Sequence, residues 1–170
     1  MLIPKNILVP LDFSESSDRL LEQAFAIASQ FKARVYVLHV VESKLIQCID
    51  DYCLNQELVK QLAANRASQI SDDYSITPPL VQRMEEEMFQ SARARLQELI
   101  NRNPQSQNLE TVIKVRSGVA YSEIIAEQRE QSLDLIIMSS LGKGGLQEYL
   151  GSTAEKVVRG ATCSVMVIKG

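Results

Sequence analysis

Two periodicities alternate along the chain. Ile7-Leu8-Val9-Pro10-Leu11 is a short continuous apolar run, the pattern of a strand buried on both faces. Asp12-Phe13-Ser14-Glu15-Ser16 interrupts it with cap-forming residues, and from Leu20 the positions Leu20, Leu21, Ala24, Ile27, Ala28 and Phe31 keep helical spacing. Further strand-like runs lie at Arg34 to Val41, Leu109 to Val115, Leu133 to Met138 and Ser164 to Ile168. Between them a long stripe holds Val81, Met84, Met88, Ala92, Leu96 and Leu99. A shorter helix carries Ile124 and Ile125, started by Ser122 or Gly118, and a last one carries Val157 and Val158 and stops at Gly160. This alternation predicts a doubly wound α/β fold: a five-stranded parallel sheet with right-handed crossovers and helices on both faces. Such sheets bind ligands beyond the carboxyl ends of their strands, at the switch point. His39, the sole histidine, sits inside an apolar strand and reads as a core residue, as does the Met84–Met88 pair.

Residues 43–79 break the alternation, being too many for an ordinary strand-to-helix loop. Asn55 to Ala64 carries a short helical pattern on Leu58, Val59 and Leu62, and Ser68 to Pro79 reads as a polar linker. The expectation is one domain over residues 1–170 with an insertion at about 43–79. That insertion is a lid over a ligand, a partner-contact element or a plain surface excursion.

The chemistry concentrates in residues 134–155. The apolar run ending at Met138 opens into a glycine-rich loop that closes on Gly151-Ser152-Thr153, where a helix starts. Ser152 followed by Glu155 has the spacing of a capping box. Strand, glycine loop and helix N-terminus together form a phosphate cradle, because unpaired N–H donors and the positive dipole end face the loop.

Composition narrows the choices. A chain of 170 residues with 45% hydrophobic content suits one globular domain with a sizeable core. A net charge of −3 without a Lys/Arg run argues against nucleic acid or an anionic membrane as partner. The N-terminal residues show no signal-peptide pattern and no apolar stretch is long enough to span a bilayer, so a cytoplasmic location is expected. Of three cysteines, Cys163 reads as a small buried hydrophobe, while Cys48 and Cys53 are expected to stay reduced.

Three separated motifs carry a resemblance. They are Ile7-Leu8-Val9-Pro10-Leu11-Asp12-Phe13-Ser14-Glu15-Ser16-Ser17, then Leu38-His39-Val40-Val41, and finally Gly151 to Arg159 followed by Cys163 to Ile168. Together they resemble the universal stress protein family: its first strand with an aspartate-bearing turn, its second-strand ending, and its final helix and strand. The resemblance implies a Rossmann-like sheet of strand order 3-2-1-4-5. The family's ATP-binding branch shows Gly, two residues, Gly, nine residues, then Gly and Ser or Thr. Counted back from Gly151, that spacing puts Met138 and Leu141 where glycines belong. A loop shorter by one residue gives Ser139, two residues, Gly142, eight residues, Gly151-Ser152, and keeps Met138 at the strand end and Gly142-Lys143 at the turn.

What the resemblance implies is an adenine-nucleotide site. Asp12 would accept hydrogen bonds from adenine and ribose, Pro10 and Leu11 would supply backbone, and Val40 an apolar contact to the base. Met138 and Ser139 would end the strand beneath the ligand. Gly142, Gly151, Ser152 and Thr153 would surround the phosphates, with Lys143 neutralising charge. ATP, ADP or AMP would be the ligand, with Mg²⁺ or Mn²⁺ held mainly by phosphates. The resemblance also suggests a homodimer through Ser164 to Ile168, an edge strand in need of cover. Val167→Asp is expected to disrupt it if that residue faces the twin.

No P-loop motif, metal-ligand cluster or nucleophile–histidine pair appears, so turnover of ATP is expected to be slow at most. The leading expectation is a stress-response regulatory protein that binds ATP and shows a protein partner a nucleotide-dependent surface. A nucleotide-free dimeric adaptor of the same fold is the alternative. A redox-responsive adaptor using Cys48 and Cys53 is a third.

Overall fold

The computed structural model describes residues 3–42, 78–140 and 150–169. Two compact units divide the chain, residues 1–42 with 89–170, and residues 43–88; the sheet lies in the first. In chain order its elements are β1 (Asn6–Pro10), α1 (Ser17–Phe31), β2 (Arg34–Val41), α2 (Pro78–Arg102), a short 3-10 turn (Pro104–Asn108), β3 (Thr111–Ser117), α3 (Ala120–Glu130), β4 (Leu135–Ser139), α4 (Ser152–Gly160) and β5 (Ser164–Ile168). The strands are all parallel, in the order β3-β2-β1-β4-β5.

Side-chain alternation sorts this sheet into two cores. Ile7, Val9, Val35, Val37, Leu135 and Ile137 face one cluster with Leu21, Phe25 and Ala28 of α1 and Leu96 and Ile100 of α2. Their neighbours Leu8, Tyr36, Leu38, Ile136 and Met138 face the other, with Ile124 of α3 and Ala154 and Val157 of α4. Burial on both faces is what makes the strands read as unbroken apolar runs. At the amino edge, Asp134 Oδ2 accepts the N–H groups of Lys5 (2.8 Å) and Asn6 (2.9 Å), tying the starts of β1 and β4 together. No helix among the described residues is long and apolar enough to cross a membrane.

Several boundaries differ from the sequence reading. β3 begins at Thr111, because Leu109 is still tied into the preceding turn by its N–H bond to Ser106 O (3.2 Å). Pro78 and Pro79 open α2 instead of ending a linker; a first helical turn tolerates residues without an N–H. Met84 and Met88 are 41% and 39% exposed, so they are not core, whereas Ala92, Leu96 and Leu99 of the same stripe are buried. Neither Gly118 nor Ser122 starts α3: Val119 occupies the cap position, and Glu42 Oε1 accepts the N–H of Ala120 at 3.0 Å.

The expected capping box is absent as well. Gly151, which has no side chain, takes the cap position and Ser152 is already helical, while Glu155 pairs with Arg159 at 2.8 Å. Cys163 is partly buried against the second cluster, and burial pushes its thiol pKa up. Cys48, Cys53 and the Asn55–Ala64 pattern lie outside the described residues.

Candidate functional site

The strand order reverses between β1 and β4, and the carboxyl ends of these strands carry the polar residues. Leu11 donates its N–H to Leu38 O at 2.8 Å, and its own carbonyl accepts the Nδ1–H of His39 at 2.8 Å. A carbonyl only accepts, so this bond places a proton on Nδ1. Asp12 then turns the chain: its Oδ1 accepts the N–H of Ser14 (3.0 Å) and the hydroxyl of Ser17 (3.4 Å), an Asx-type turn leading into α1. Phe13, inside that turn, has φ of 60°.

A line of hydroxyls crosses the switch point. Ser14 Oγ lies 3.0 Å from Ser16 Oγ, which lies 3.5 Å from Ser139 Oγ at the end of β4. Ser16 holds the N-cap position of α1 yet makes no side-chain cap bond. One residue on, Ser140 acts as a pin. It donates its N–H to Ile168 O of β5 (2.8 Å), and its carbonyl accepts the N–H of Gly151 (2.8 Å). Both ends of the glycine-rich loop therefore meet at the carboxyl edge of the sheet, bringing the N-terminus of α4 there. With a glycine at the cap position, the first-turn N–H groups and dipole of α4 are turned to that edge.

The residues expected from sequence fall as follows. Pro10 ends β1 opposite Leu38, Leu11 is buried, and Asp12 forms the turn. Val40 lies on β2 and packs partly against the second cluster. Met138 is buried in β4 opposite Val167, and Ser139 ends the strand opposite Ile168. Gly151 caps α4, with Ser152 and Thr153 in its first turn. Gly142 and Lys143 lie outside the described residues. Asp12 is thus linked to Ser139 through the Ser14 N–H and then the hydroxyls of Ser14 and Ser16, and Gly151 is bonded next to Ser139.

Sequence reasoning read Ser14 and Ser16 only as cap formers and His39 only as core. No local signal showed that Ser16 would reach β4. The contact between the Phe13 and His39 rings (centroids 4.1 Å apart) and the Arg95 guanidinium over Phe13 (4.4 Å) were equally hidden. Among the described residues no group of three or more His, Cys, Asp or Glu side chains is placed to hold a metal ion.

Comparison with known proteins agrees with this architecture. The model of the universal stress protein family matches residues 4–169. A universal stress protein of Methanocaldococcus jannaschii is 28% identical over 172 residues, covering 97% of this chain and 82% of the relative. The universal stress protein UspA from Lactobacillus plantarum shares the fold with a TM-score of 0.65 at 22% identity, over 96% of this chain and 97% of that one. Two further structures share it at 16% identity. One is a universal stress protein in complex with cAMP (TM-score 0.58, 97% and 96% covered), the other that from Archaeoglobus fulgidus in complex with dAMP (TM-score 0.53, 98% and 99% covered). Matched over nearly its whole length, and with the sheet order its motifs implied, the chain belongs to the universal stress protein family.

Proposed function

We propose that this protein binds an adenine nucleotide, with ATP as the working ligand, at the β1/β4 switch point, and that the bound nucleotide changes the surface it offers to a protein partner. The observation that carries this reading is the Gly151–Ser140 bond, which holds the N-terminus of α4 at the carboxyl edge that also carries the Asp12 turn. An anion-binding helix end and a carboxylate acceptor on one edge suit a ligand with phosphates at one end and hydrogen-bond donors at the other. The cAMP and dAMP complexes of relatives support the choice of adenine nucleotides.

In this reading Asp12 accepts from adenine or ribose, Pro10 and Leu11 line the base with backbone, and Val40 packs on it. Met138 and Ser139 form the floor. Ser152 and Thr153 give N–H groups to the phosphates, Gly151 allows their close approach, and Gly142 and Lys143 complete the cradle. Mg²⁺ or Mn²⁺ would be held mainly by phosphate oxygens and water, since no group of three or more His, Cys, Asp or Glu side chains converges among the described residues. The Asp12 carboxylate already accepts bonds from Ser14 and Ser17, so efficient general-base chemistry is not part of the reading.

The remaining parts of the proposal follow the same lines. The chain acts as one family domain with an insertion at about 43–79, of which residues 43–77 lie outside the described residues. It works in the cytoplasm, and it dimerises through the β5 edge. Val167 is the wrong residue with which to test that edge, because it packs on the second core cluster; Met166, 41% exposed, is the better probe.

Amide chemical-shift mapping with ATP and Mg²⁺ tests the site. Shifts are expected at Asp12, Ser139 and Gly151 to Thr153, with the β3 edge unmoved. A folded protein whose amides do not respond to millimolar ATP would hand the function to the nucleotide-free adaptor reading.

A further inference from the structure

The Asp12 turn is held from an unexpected direction. Phe13 carries a left-handed φ of 60°, rare for a bulky side chain, and such strain persists only where the surroundings over-determine it. Three contacts do so here. The Phe13 ring packs partly against the first core cluster and lies 4.1 Å from the His39 ring, the two planes inclined by 34°. The guanidinium of Arg95, on α2, stands over the Phe13 ring at 4.4 Å. His39 in turn donates to Leu11 O, on the residue just before Asp12. Arg95, Phe13 and His39 thus close around the Leu11-Asp12-Phe13 step.

We propose that Arg95 is a positioning residue for the switch-point site: by holding Phe13 in its left-handed conformation it sets the Asp12 turn. Its consequence for binding rests on the nucleotide reading above. The side chain of Arg95 is exposed, so removing it leaves neither a cavity nor a buried charge, and the fold stays intact. What is lost is a cation–π contact on a strained ring, and the turn then samples other conformations. Only the fraction with the Asp12 turn formed is competent, so the apparent dissociation constant rises in inverse proportion to that fraction.

The test uses Arg95→Ala, Arg95→Lys and, as a control from the same exposed stretch of α2, Arg93→Ala. Because the chain has one histidine, its imidazole gives a single set of ring resonances, shifted by the neighbouring Phe13. In Arg95→Ala those resonances are expected to move toward open-chain positions. The Ser14 amide proton, bonded to the Asp12 carboxylate, is expected to lose its downfield shift. ATP affinity is expected to fall about five-fold, equivalent to ~1 kcal/mol. Lysine, which keeps the cation, restores part of each effect, and Arg93→Ala causes none. Unmoved His39 and Ser14 signals in folded Arg95→Ala would overturn the proposal, and so would moved signals with unchanged affinity. If the unmodified protein takes up no ATP, the nucleotide reading fails by itself, and the His39 and Ser14 signals still decide whether Arg95 holds the turn.

Discussion

The N–H of Gly151 donates to the carbonyl of Ser140 at 2.8 Å, closing the glycine-rich loop at its base. Ser140 is itself fixed to Ile168 of β5, so the loop's mouth is anchored to two strands. Gly151 has φ −60° and ψ 148°, a conformation open to any residue. A glycine is therefore not required there by the backbone. Its lack of a side chain matters instead for whatever approaches the first turn of α4.

Arg116 is the electrostatic anchor on the β3 side. It donates to Glu123 (2.7 Å), Glu127 (2.9 Å) and Glu130 (2.8 Å) of α3. The Glu127 side chain is only 2% exposed; Lys114 Nζ comes within 3.3 Å of its Oε1, but without hydrogen-bond alignment. Arg116→Met strands that buried carboxylate and is expected to cost about 3–5 kcal/mol in urea unfolding. Adding Glu127→Leu should recover most of the loss. A single-variant cost below about 1 kcal/mol would show that Lys114 suffices as partner.

Acid sensitivity follows from the same cluster. The hydrogen bond from Arg116, reinforced by its charge, lowers the Glu130 pKa below its ordinary value of 4.5. A carboxylate with a lower pKa folded than unfolded favours the fold above its ordinary titration range, and that contribution fades as pH falls through the lowered value. Stability is expected to hold near neutrality and decline on acidification, less steeply in Arg116→Met. Equal slopes for the two proteins would contradict this.

Gly118 is a position where backbone geometry demands glycine. Its φ is 139°, and an added Cβ would lie 3.0 Å from Glu123 Oε1, the carboxylate engaged by Arg116. Gly118→Ala is expected to destabilise by about 1–3 kcal/mol, read as a lower thermal midpoint. An unchanged midpoint would mean that the turn after β3 relaxes without cost.

The sheet was legible because burial on two faces leaves little ambiguity: Arg34 to Val41 and Ser164 to Ile168 form strands over the residues that the pattern marked. β3 was set two residues too early, because Leu109 stays bonded into the preceding turn and Arg116 reads as a loop residue until α3 supplies its carboxylates. The Ser152–Glu155 spacing misled for a local reason, Gly151 taking the cap and Arg159 taking Glu155. Asp12 and Gly151 could be singled out from their motifs. The Ser16–Ser139 and Arg95–Phe13 contacts could not, since each joins residues far apart in sequence and depends on the folded sheet.

Dimerisation through β5 has a direct test in Met166→Asp. Met166 lies in the middle of the edge strand and is 41% exposed, so a charge there leaves the core intact while opposing strand pairing. Light scattering is expected to report a dimer for the unmodified chain and a monomer for the variant. An unchanged mass would place any interface elsewhere.

Isothermal titration of the nucleotide-stripped protein with ATP and Mg²⁺, beside Gly151→Val, addresses nucleotide binding most directly. Valine adopts the Gly151 backbone conformation, so the variant should fold while its side chain fills the approach to α4. Binding by the unmodified protein that the variant loses is the expected result. Equal binding by both would remove the phosphates from the α4 N-terminus, and no binding by the folded unmodified protein would contradict the nucleotide site itself.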